Sequence, residues 1–121
     1  MSIQVKLPAN TRVFIRAIAN AAWLQRVTIT PPSGSPIVWK GSGEGNQPFG
    51  DIQVTTSGKI DTYTVNIEHS SDGGNSWNSS SSTSGDTSIA SLRAKYILSE
   101  DGADSDYNDA VVEFMWWIPL S

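Results

Sequence analysis

The residues that could do chemistry are concentrated in residues 100–109, which read EDGADSDYND. This segment holds five of the chain's 12 acidic residues and one carboxamide, and it contains no basic residue. Without these five acids the net charge of -4 would become +1. Carboxylates this close repel one another inside a protein, so folding must raise some of their pKa values or bring in a cation. We call residues 100–109 the acidic loop.

The type of cation follows from the ligands available. Hard oxygen ligands in this number favour calcium over zinc, because the chain has no cysteine and one histidine. In an extended segment the alternating Asp104, Asp106 and Asn108 would point to one side and converge on an ion. EF-hand spacing fails: counted from Asp104, the required sixth-position glycine is Asp109 and the twelfth-position glutamate is Met115. The pattern predicts a different calcium site, on a loop leading into a strand, with a solvated acidic loop as the alternative.

Length and composition limit the function classes. The chain of 121 residues is predicted to be one domain, residues 1–121, that buries a core without disulfides. Its eight basic residues are outnumbered by acids, which argues against nucleic acid as a partner. No stretch approaches the roughly 20 apolar residues of a membrane span, so we expect no membrane insertion. The first residues lack the apolar run of a signal peptide. We therefore expect a protein that is cytoplasmic, or released to the cell surface or extracellular space by a non-classical route.

Alternation of apolar and polar residues predicts an all-β fold. The segments that show it most clearly are residues 3–7, 12–18, 60–67 and 110–117. In the second of these, Val13, Ile15 and Ala17 share the apolar face, and no segment has a sustained helical period. Short strands separated by Gly, Pro, Asn and Ser turns predict an antiparallel β-sandwich.

The breaks in this alternation predict the connections. Residues 19–22 are expected to interrupt the second strand, and residues 41–46 to form a loose connector. The Ser-Gly pair at 57–58 predicts a hairpin between the strands that flank it. The serine-rich residues 70–88 predict a long surface loop or a pair of loops.

Two motifs resemble those of a known family. Residues 7–12 (LPANTR), followed by Ala19 and Asn20, are similar to the first hairpin of the bacterial calcium-dependent fucose/mannose-binding lectins, the fucose-binding lectin II family. Residues 100–112 (EDGADSDYNDAVV) are similar to that family's metal loop, and this second motif is the more specific. The motifs cover under half of the chain. The resemblance implies an antiparallel β-sandwich in which a pair of adjacent calcium ions binds sugar directly.

The resemblance also implies roles for individual residues. By position, the side-chain calcium ligands are Asn20, Glu100, Asp104, Asp106, Asn108 and Asp109. The sugar-binding residues are Asn20, Ala21, Ala22, Trp23, Glu100, Asp101, Gly102, Asp104, Asp106 and Asp109. Asp101 matches an acid that accepts a hydrogen bond from a sugar hydroxyl. Two calcium ions would offset most of the charge of five carboxylates, and chelated hydroxyls in fixed directions select the stereochemistry of a sugar.

Residues 21–23 (AAW) correspond to the specificity loop of that family. Members with Ser first tend towards fucose and members with Ala first towards mannose, so Ala21 implies mannose-containing glycans over or alongside fucose-containing ones. Small residues are commoner at the position of Trp23. For Trp23, two interpretations remain open: a sugar contact, or a strand residue that packs sideways.

The C-terminus departs from the family pattern. Family chains end in a glycine whose carboxylate enters the calcium site of a neighbouring subunit, whereas this sequence ends in Ser121 after a strand about two residues longer. A metal-ligand role for the Ser121 carboxylate requires that a bulge absorb the extra ~6 to 7 Å of reach. The Trp-rich residues 116–117 are a plausible buried contact, so we expect a homodimer or higher homo-oligomer.

The sequence has features of three other function classes. A glycosidase would need paired carboxylates, with Asp101 or Glu113 near the cluster, but carboxylates chelated to calcium are poor proton shuttles. His69 lies beside serines, but no nucleophile elbow surrounds any serine, so we expect no enzyme. A structural domain that calcium only rigidifies is the remaining alternative. Sugar would not raise the melting temperature of such a domain once calcium is saturating.

Overall fold

The computed structural model describes residues 2–102 and 107–119. Its strands are β1 Ser2–Leu7, β2 Arg12–Thr30, β3 Ile37–Thr55, β4 Asp61–Ser70, β5 Asn78–Ser79, β6 Ser81–Ile89, β7 Leu92–Glu100 and β8 Ala110–Trp117. The all-β prediction is confirmed. In the described ranges, no helix has the length and apolar character needed to cross a bilayer.

The strands form an antiparallel sheet in the order β1-β4-β2-β8-β7-β6, with β3 paired to β2 and β5 paired to β4. The long strand β2 takes part in two layers. Its residues 14–19 pair with β8, its residues 24–30 pair with β4, and β3 follows both halves. One hydrogen-bonded sheet therefore folds over into the two faces of the predicted antiparallel β-sandwich.

Two bulges mark the corner where β2 and β3 fold over together. Residues 22–24 of β2 lie opposite the single residue Ser42 of β3. Further along the ribbon, residues 44–46 of β3 lie opposite the single residue Asn20 of β2. Extra residues on one strand bend it and increase its twist, so the two bulges allow one long ribbon to serve both layers. We call residues 19–25 and 41–47 the corner.

Glycines let the two arms of the ribbon approach closely beside this corner. A Cβ added at Gly50 would overlap the indole ring of Trp39, and one added at Gly41 would overlap the side chain of Phe49. Each glycine faces an aromatic ring that lies on the other side of the β3 bulge at residues 44–46. A larger residue would therefore push the two parts of β3 apart.

The core lies between the two layers and uses the alternation read from the sequence. Val13, Ile15 and Ala17 on β2 are buried, as predicted. Tyr63 of β4 meets Phe114 of β8 edge to face, with ring centroids 6.2 Å apart. Burying each large apolar side chain contributes about 1.5–3 kcal/mol, so this contact between layers is a main source of stability.

Two predicted interruptions are wrong. Residues 19–22 remain within β2 and residues 41–46 remain within β3, because the bulges keep the flanking residues paired. The serine-rich segment is also more regular than predicted. Residues 81–89 form β6, which pairs with β7 along its whole length. Backbone hydrogen bonds hold this edge strand, and they require no apolar side chain.

Two predicted hairpins are wrong as well. Residues 57–58 connect β3 to β4, but each of these strands pairs with β2 and not with the other. Residues 8–11 connect β1 to β2, but β1 and β2 lie on opposite sides of β4. A turn sequence shows that the chain reverses, whereas the partner of each strand is set by the whole sheet.

Candidate functional site

Hydrogen bonds anchor the end of the acidic loop to the corner. The loop joins β7 to β8, whose pairing reaches Ser99 and Ala110, and the Asp109 N–H donates to the Ser99 carbonyl at 3.1 Å. The Asn20 N–H donates to the Asp109 carbonyl at 2.9 Å, and Asn20 Nδ2 donates to the Asn108 carbonyl at 3.0 Å. Asn20 and the acidic loop, distant in sequence, are therefore neighbours.

Three carboxylates of the acidic loop converge. One oxygen each from Glu100, Asp101 and Asp109 lies within 4.8 Å of the others. Glu100 and Asp109 are only 5% and 6% exposed. A donor set of carboxylate oxygens suits a hard cation such as calcium, and its burial leaves few waters to screen the charges. The three residues therefore fit a metal ion between them.

The raised pKa of one carboxyl in the cluster also favours a bound cation. The Asp101 N–H donates to Asp109 Oδ2 at 2.8 Å, and the Gly102 N–H donates to Glu100 Oε1 at 3.3 Å. In spite of such bonds, burial raises the pKa of the Asp109 carboxyl, and the neighbouring Asp101 carboxylate adds to the rise. A cation would favour the ionised form of Asp109 and reverse this direction.

A pocket of about 330 Å³ opens at the cluster. Its lining residues are Asn20, Ala21, Ala22, Trp23, Glu44, Asp101, Gly102, Asn108 and Asp109. Every one of these except Glu44 was singled out from the sequence. Glu100 belongs to the carboxylate cluster without lining the pocket. Asp104, Asp106 and Ser121 lie outside the described residues, so their ligand roles stay predictions.

The carboxamide of Asn20 connects both sides of the corner. Its Nδ2 donates to the acidic loop, and its Oδ1 accepts the Asn46 N–H at 2.7 Å. The oxygen that the resemblance assigns to calcium is therefore engaged by β3. A carbonyl oxygen has two lone pairs, so this hydrogen bond leaves capacity for a second partner.

Sequence reasoning missed Gln25 and Glu44. Gln25 is completely buried, and its Nε2 donates to Asp101 Oδ2 at 2.9 Å and to the Trp23 carbonyl at 3.1 Å. The available signal was a polar residue two positions before Val27 on the buried side of β2. Glu44 gave no such signal, because it reaches the pocket only through the bulge of β3.

Trp23 packs sideways, as one of its two interpretations expects, and its interpretation as a sugar contact stays a prediction. Its ring stacks on His69, with centroids 5.7 Å apart and planes 16° apart, yet it lines the pocket and stays 44% exposed. His69 is half-buried, and its Nδ1 lies 2.8 Å from Ser80 Oγ.

The sequence matches one known protein family over most of its length. The family model described as Fucose-binding lectin II (PA-IIL) matches residues 5–118, a range that contains both the Asn20 motif and the acidic loop. The chain belongs to this family. Membership in the fucose-binding lectin II family supports carbohydrate binding. No curated protein sequence gives a significant match.

Solved structures of bacterial lectins resemble this fucose-binding lectin II family member over nearly their whole length. The Ralstonia solanacearum high-affinity mannose-binding lectin is 27% identical, with a TM-score of 0.78 and coverage of 98% of this chain and 96% of that one. The Chromobacterium violaceum lectin CV2L, in complex with alpha-methyl-fucoside, is 26% identical, with a TM-score of 0.77 and the same coverage. The C-terminal domain of the BC2L-C lectin from Burkholderia cenocepacia is 27% identical, with a TM-score of 0.73 and full coverage of both chains at 100%.

Proposed function

We propose that this protein is a calcium-dependent lectin that binds mannose-type glycans over or alongside fucose-type glycans, with a pair of calcium ions in each site. One observation carries the proposal. Glu100, Asp101 and Asp109 converge within 4.8 Å of one another at a pocket lined by residues 20–23, in a chain of the fucose-binding lectin II family. The proposal assigns no catalytic residue.

Different residues of the chain would bind calcium and sugar. Glu100 and Asp109 of the cluster would hold calcium, with Asn20, Asp104, Asp106, Asn108 and the Ser121 carboxylate completing the ligand set by their position in the motif. Bound calcium supplies open coordination positions that vicinal sugar hydroxyls fill in place of water. Backbone N–H donors of Asp101 and Gly102 keep the Asp109 and Glu100 carboxylates in place before the sugar arrives, which lowers the entropic cost of binding. Asp101 also offers an acceptor for a sugar hydroxyl.

The proposed sugar preference depends on Ala21. This residue lines the pocket and its side chain has no hydrogen-bonding group, so a hydroxyl partner for a fucose ring is missing there. The names of the similar lectins are consistent with a fold that accepts either sugar, since one is described as mannose-binding and another was solved with a fucoside.

We propose a homodimer or higher homo-oligomer as the working form. An apolar row crosses the strands at one end of the sheet, where Ile89 pairs with Leu92 and Leu92 pairs with Trp117. Ile89 and Trp117 are 63% and 56% exposed, and cross-strand partners share one face of a sheet. Sedimentation velocity should show a dimer that Ile89→Lys dissociates. A monomeric native protein at micromolar concentration would contradict this part of the proposal.

Sugar binding measured with and without calcium tests the central proposal. Calorimetry with methyl mannoside and methyl fucoside should give binding in calcium, none in excess chelator, and full recovery on calcium addition. At saturating calcium, sugar should raise the melting temperature further, because it binds the folded state alone. A melting temperature that responds to calcium and not to any sugar would instead support the structural-domain alternative. Full sugar binding in excess chelator would rule out the calcium mechanism.

A further inference from the structure

Trp23 lies at the corner and lines the pocket. It lies in the bulge formed by residues 22–24, which face the single residue Ser42. Among the pocket-lining residues it contributes the one aromatic side chain, whereas Asn20, Asp101 and Asp109 present polar groups. The pocket therefore combines polar groups with one aromatic surface, and 44% of Trp23 remains exposed.

His69 supports this indole from outside the pocket. The two rings stack with centroids 5.7 Å apart and planes 16° apart, and His69 is not among the pocket-lining residues. The imidazole is itself fixed, since its Nδ1 lies 2.8 Å from Ser80 Oγ and its backbone pairs with both β2 and β5. At the other end, the Trp23 carbonyl accepts a hydrogen bond from buried Gln25. The indole is thus held in place before any ligand arrives.

We propose that Trp23, backed by His69, forms a second subsite for a sugar residue linked to the one bound at the carboxylates. This inference rests on the proposed lectin function and names the ligand class as an oligosaccharide. A pyranose has an apolar face of C–H bonds, and the negative face of an indole attracts such polarised hydrogens. Trp23 lines the pocket, whereas its stacking partner His69 does not, so the pair stands where the pocket lining ends. We expect the indole there to contact the next residue of a glycan chain and not the chelated one.

The subsite predicts that chain length matters for affinity. A methyl glycoside of an α-linked mannose disaccharide should bind about fivefold more tightly than methyl mannoside, since one aromatic contact of this kind corresponds to roughly that ratio. The indole is already ordered by His69 and Gln25, so little of the contact energy is lost in fixing it.

Calorimetry at saturating calcium tests the subsite through the ratio of disaccharide to monosaccharide affinity. Trp23→Ala should lower that ratio to about one while changing monosaccharide affinity less than about twofold, and Trp23→Phe should keep most of it. His69→Ala should lower the ratio part of the way, because the indole loses its support. The matched control is Ile60→Ala, which removes an exposed apolar side chain next to Asp61, at the end of β4 opposite His69, and should leave the ratio unchanged.

Nuclear magnetic resonance gives a second measurement that requires no unstable variant. The indole N–H signal of Trp23, identified by its absence in Trp23→Phe, should shift with the disaccharide and barely move with the monosaccharide. An unshifted signal, or equal affinity losses for both sugars in Trp23→Ala, would overturn the second subsite while leaving the lectin function standing. Failure of the native protein to bind methyl mannoside in calcium would overturn both.

Discussion

Gln25 donates a hydrogen bond from its side-chain amide to the carboxylate of Asp101 at 2.9 Å. The same nitrogen donates to the Trp23 carbonyl at 3.1 Å, and the Gln25 side chain is completely buried. One amide therefore joins the corner strand to the acidic loop. A hydrogen bond to a charged group contributes about 1.5–3 kcal/mol, which makes Gln25 a positioning residue for Asp101.

Replacing Gln25 with Met should weaken sugar binding about tenfold at saturating calcium, because Asp101 loses the donor that orients it. The melting temperature should also fall, because the Asp101 carboxylate and the Trp23 carbonyl lose the Gln25 donor. Removal of Oε1, a buried atom without a hydrogen-bond partner among the described residues, offsets part of this cost. Calorimetry with methyl mannoside and thermal unfolding measure the two effects. Exposed Gln53 on β3 is the control site for the same substitution. A lower melting temperature with unchanged sugar affinity would assign Gln25 a structural role only.

Asp109→Asn should separate stability from metal binding. Asn is close to isosteric and keeps an acceptor for the Asp101 N–H, but it removes a buried charge beside the Asp101 carboxylate. Without calcium the variant should melt at a higher temperature than the native protein, because the pKa of Asp109 is raised by burial and by its neighbour. With calcium the order should reverse, since a ligand is lost. Asp51→Asn, at an exposed position on β3, is the control for removing one charge.

The pH dependence of that comparison has a definite sign. A carboxyl whose pKa is raised by folding holds its proton longer in the native state than in the unfolded chain, where the pKa is about 3.9. The stability gained by holding the proton is present below the unfolded pKa and is lost as pH rises through the native pKa. The calcium-free melting difference between Asp109→Asn and the native protein should therefore shrink as pH falls from 7 to about 4. A difference that is constant with pH would show that Asp109 titrates normally.

Ala21→Ser should shift sugar preference towards fucose. The new hydroxyl would stand in the pocket lining, where one added hydrogen bond contributes about 0.5–1.5 kcal/mol net. Titration calorimetry of both proteins with methyl mannoside and methyl fucoside gives the ratio directly. Ala22→Ser, at the adjacent and more exposed lining position, shows whether any nearby hydroxyl has the same effect. An unchanged ratio in Ala21→Ser would move the specificity determinant to another residue of the loop.

Asp61→Asn should lower stability and leave sugar affinity unchanged. Asp61 is buried at the start of β4, where it accepts hydrogen bonds from Ser57 Oγ at 2.5 Å and from the Ser57 N–H at 2.8 Å. These bonds lower the pKa of Asp61, the hydroxyl bond most strongly. Its contribution is therefore present above the unfolded pKa of about 3.9 and is lost as pH falls through the lower native pKa. Thermal unfolding should show a melting difference at pH 7 that disappears in acid; an equal difference in acid would indicate a packing defect instead.

The sequence by itself determined the elements whose signals are local. The charge density of the acidic loop is a property of ten neighbouring residues, so its position before a final strand was predicted correctly, as β8 begins at Ala110. The buried faces of β2 and β4 were predicted for the same reason. Val13 and Ile15 alternate with exposed or half-buried residues, and Tyr63 and Val65 alternate with half-buried ones, because successive side chains of a strand point to opposite faces.

The serine-rich strand β6 shows where local signals fail. Most of its residues are exposed, so its sequence carries no alternation, and its polar composition is typical of a loop. It is a strand because β7 supplies a row of backbone partners from Leu92 to Glu100. The residue types of an edge strand reflect the solvent around its side chains, whereas its regular structure depends on backbone hydrogen bonds to the neighbouring strand.

Only the tertiary structure showed that Gln25, Glu44 and His69 join the residues singled out from the motifs. Gln25 reaches Asp101 across 76 positions of the chain, and Glu44 and His69 join Trp23 because two bulges fold β2 and β3 at the corner. A register shift describes how two separate segments are aligned with each other. No residue pattern within β2 or β3 alone therefore predicts it. Contacts made by such an alignment are fixed by the packing of the whole sheet, so no spacing along the sequence could reveal them.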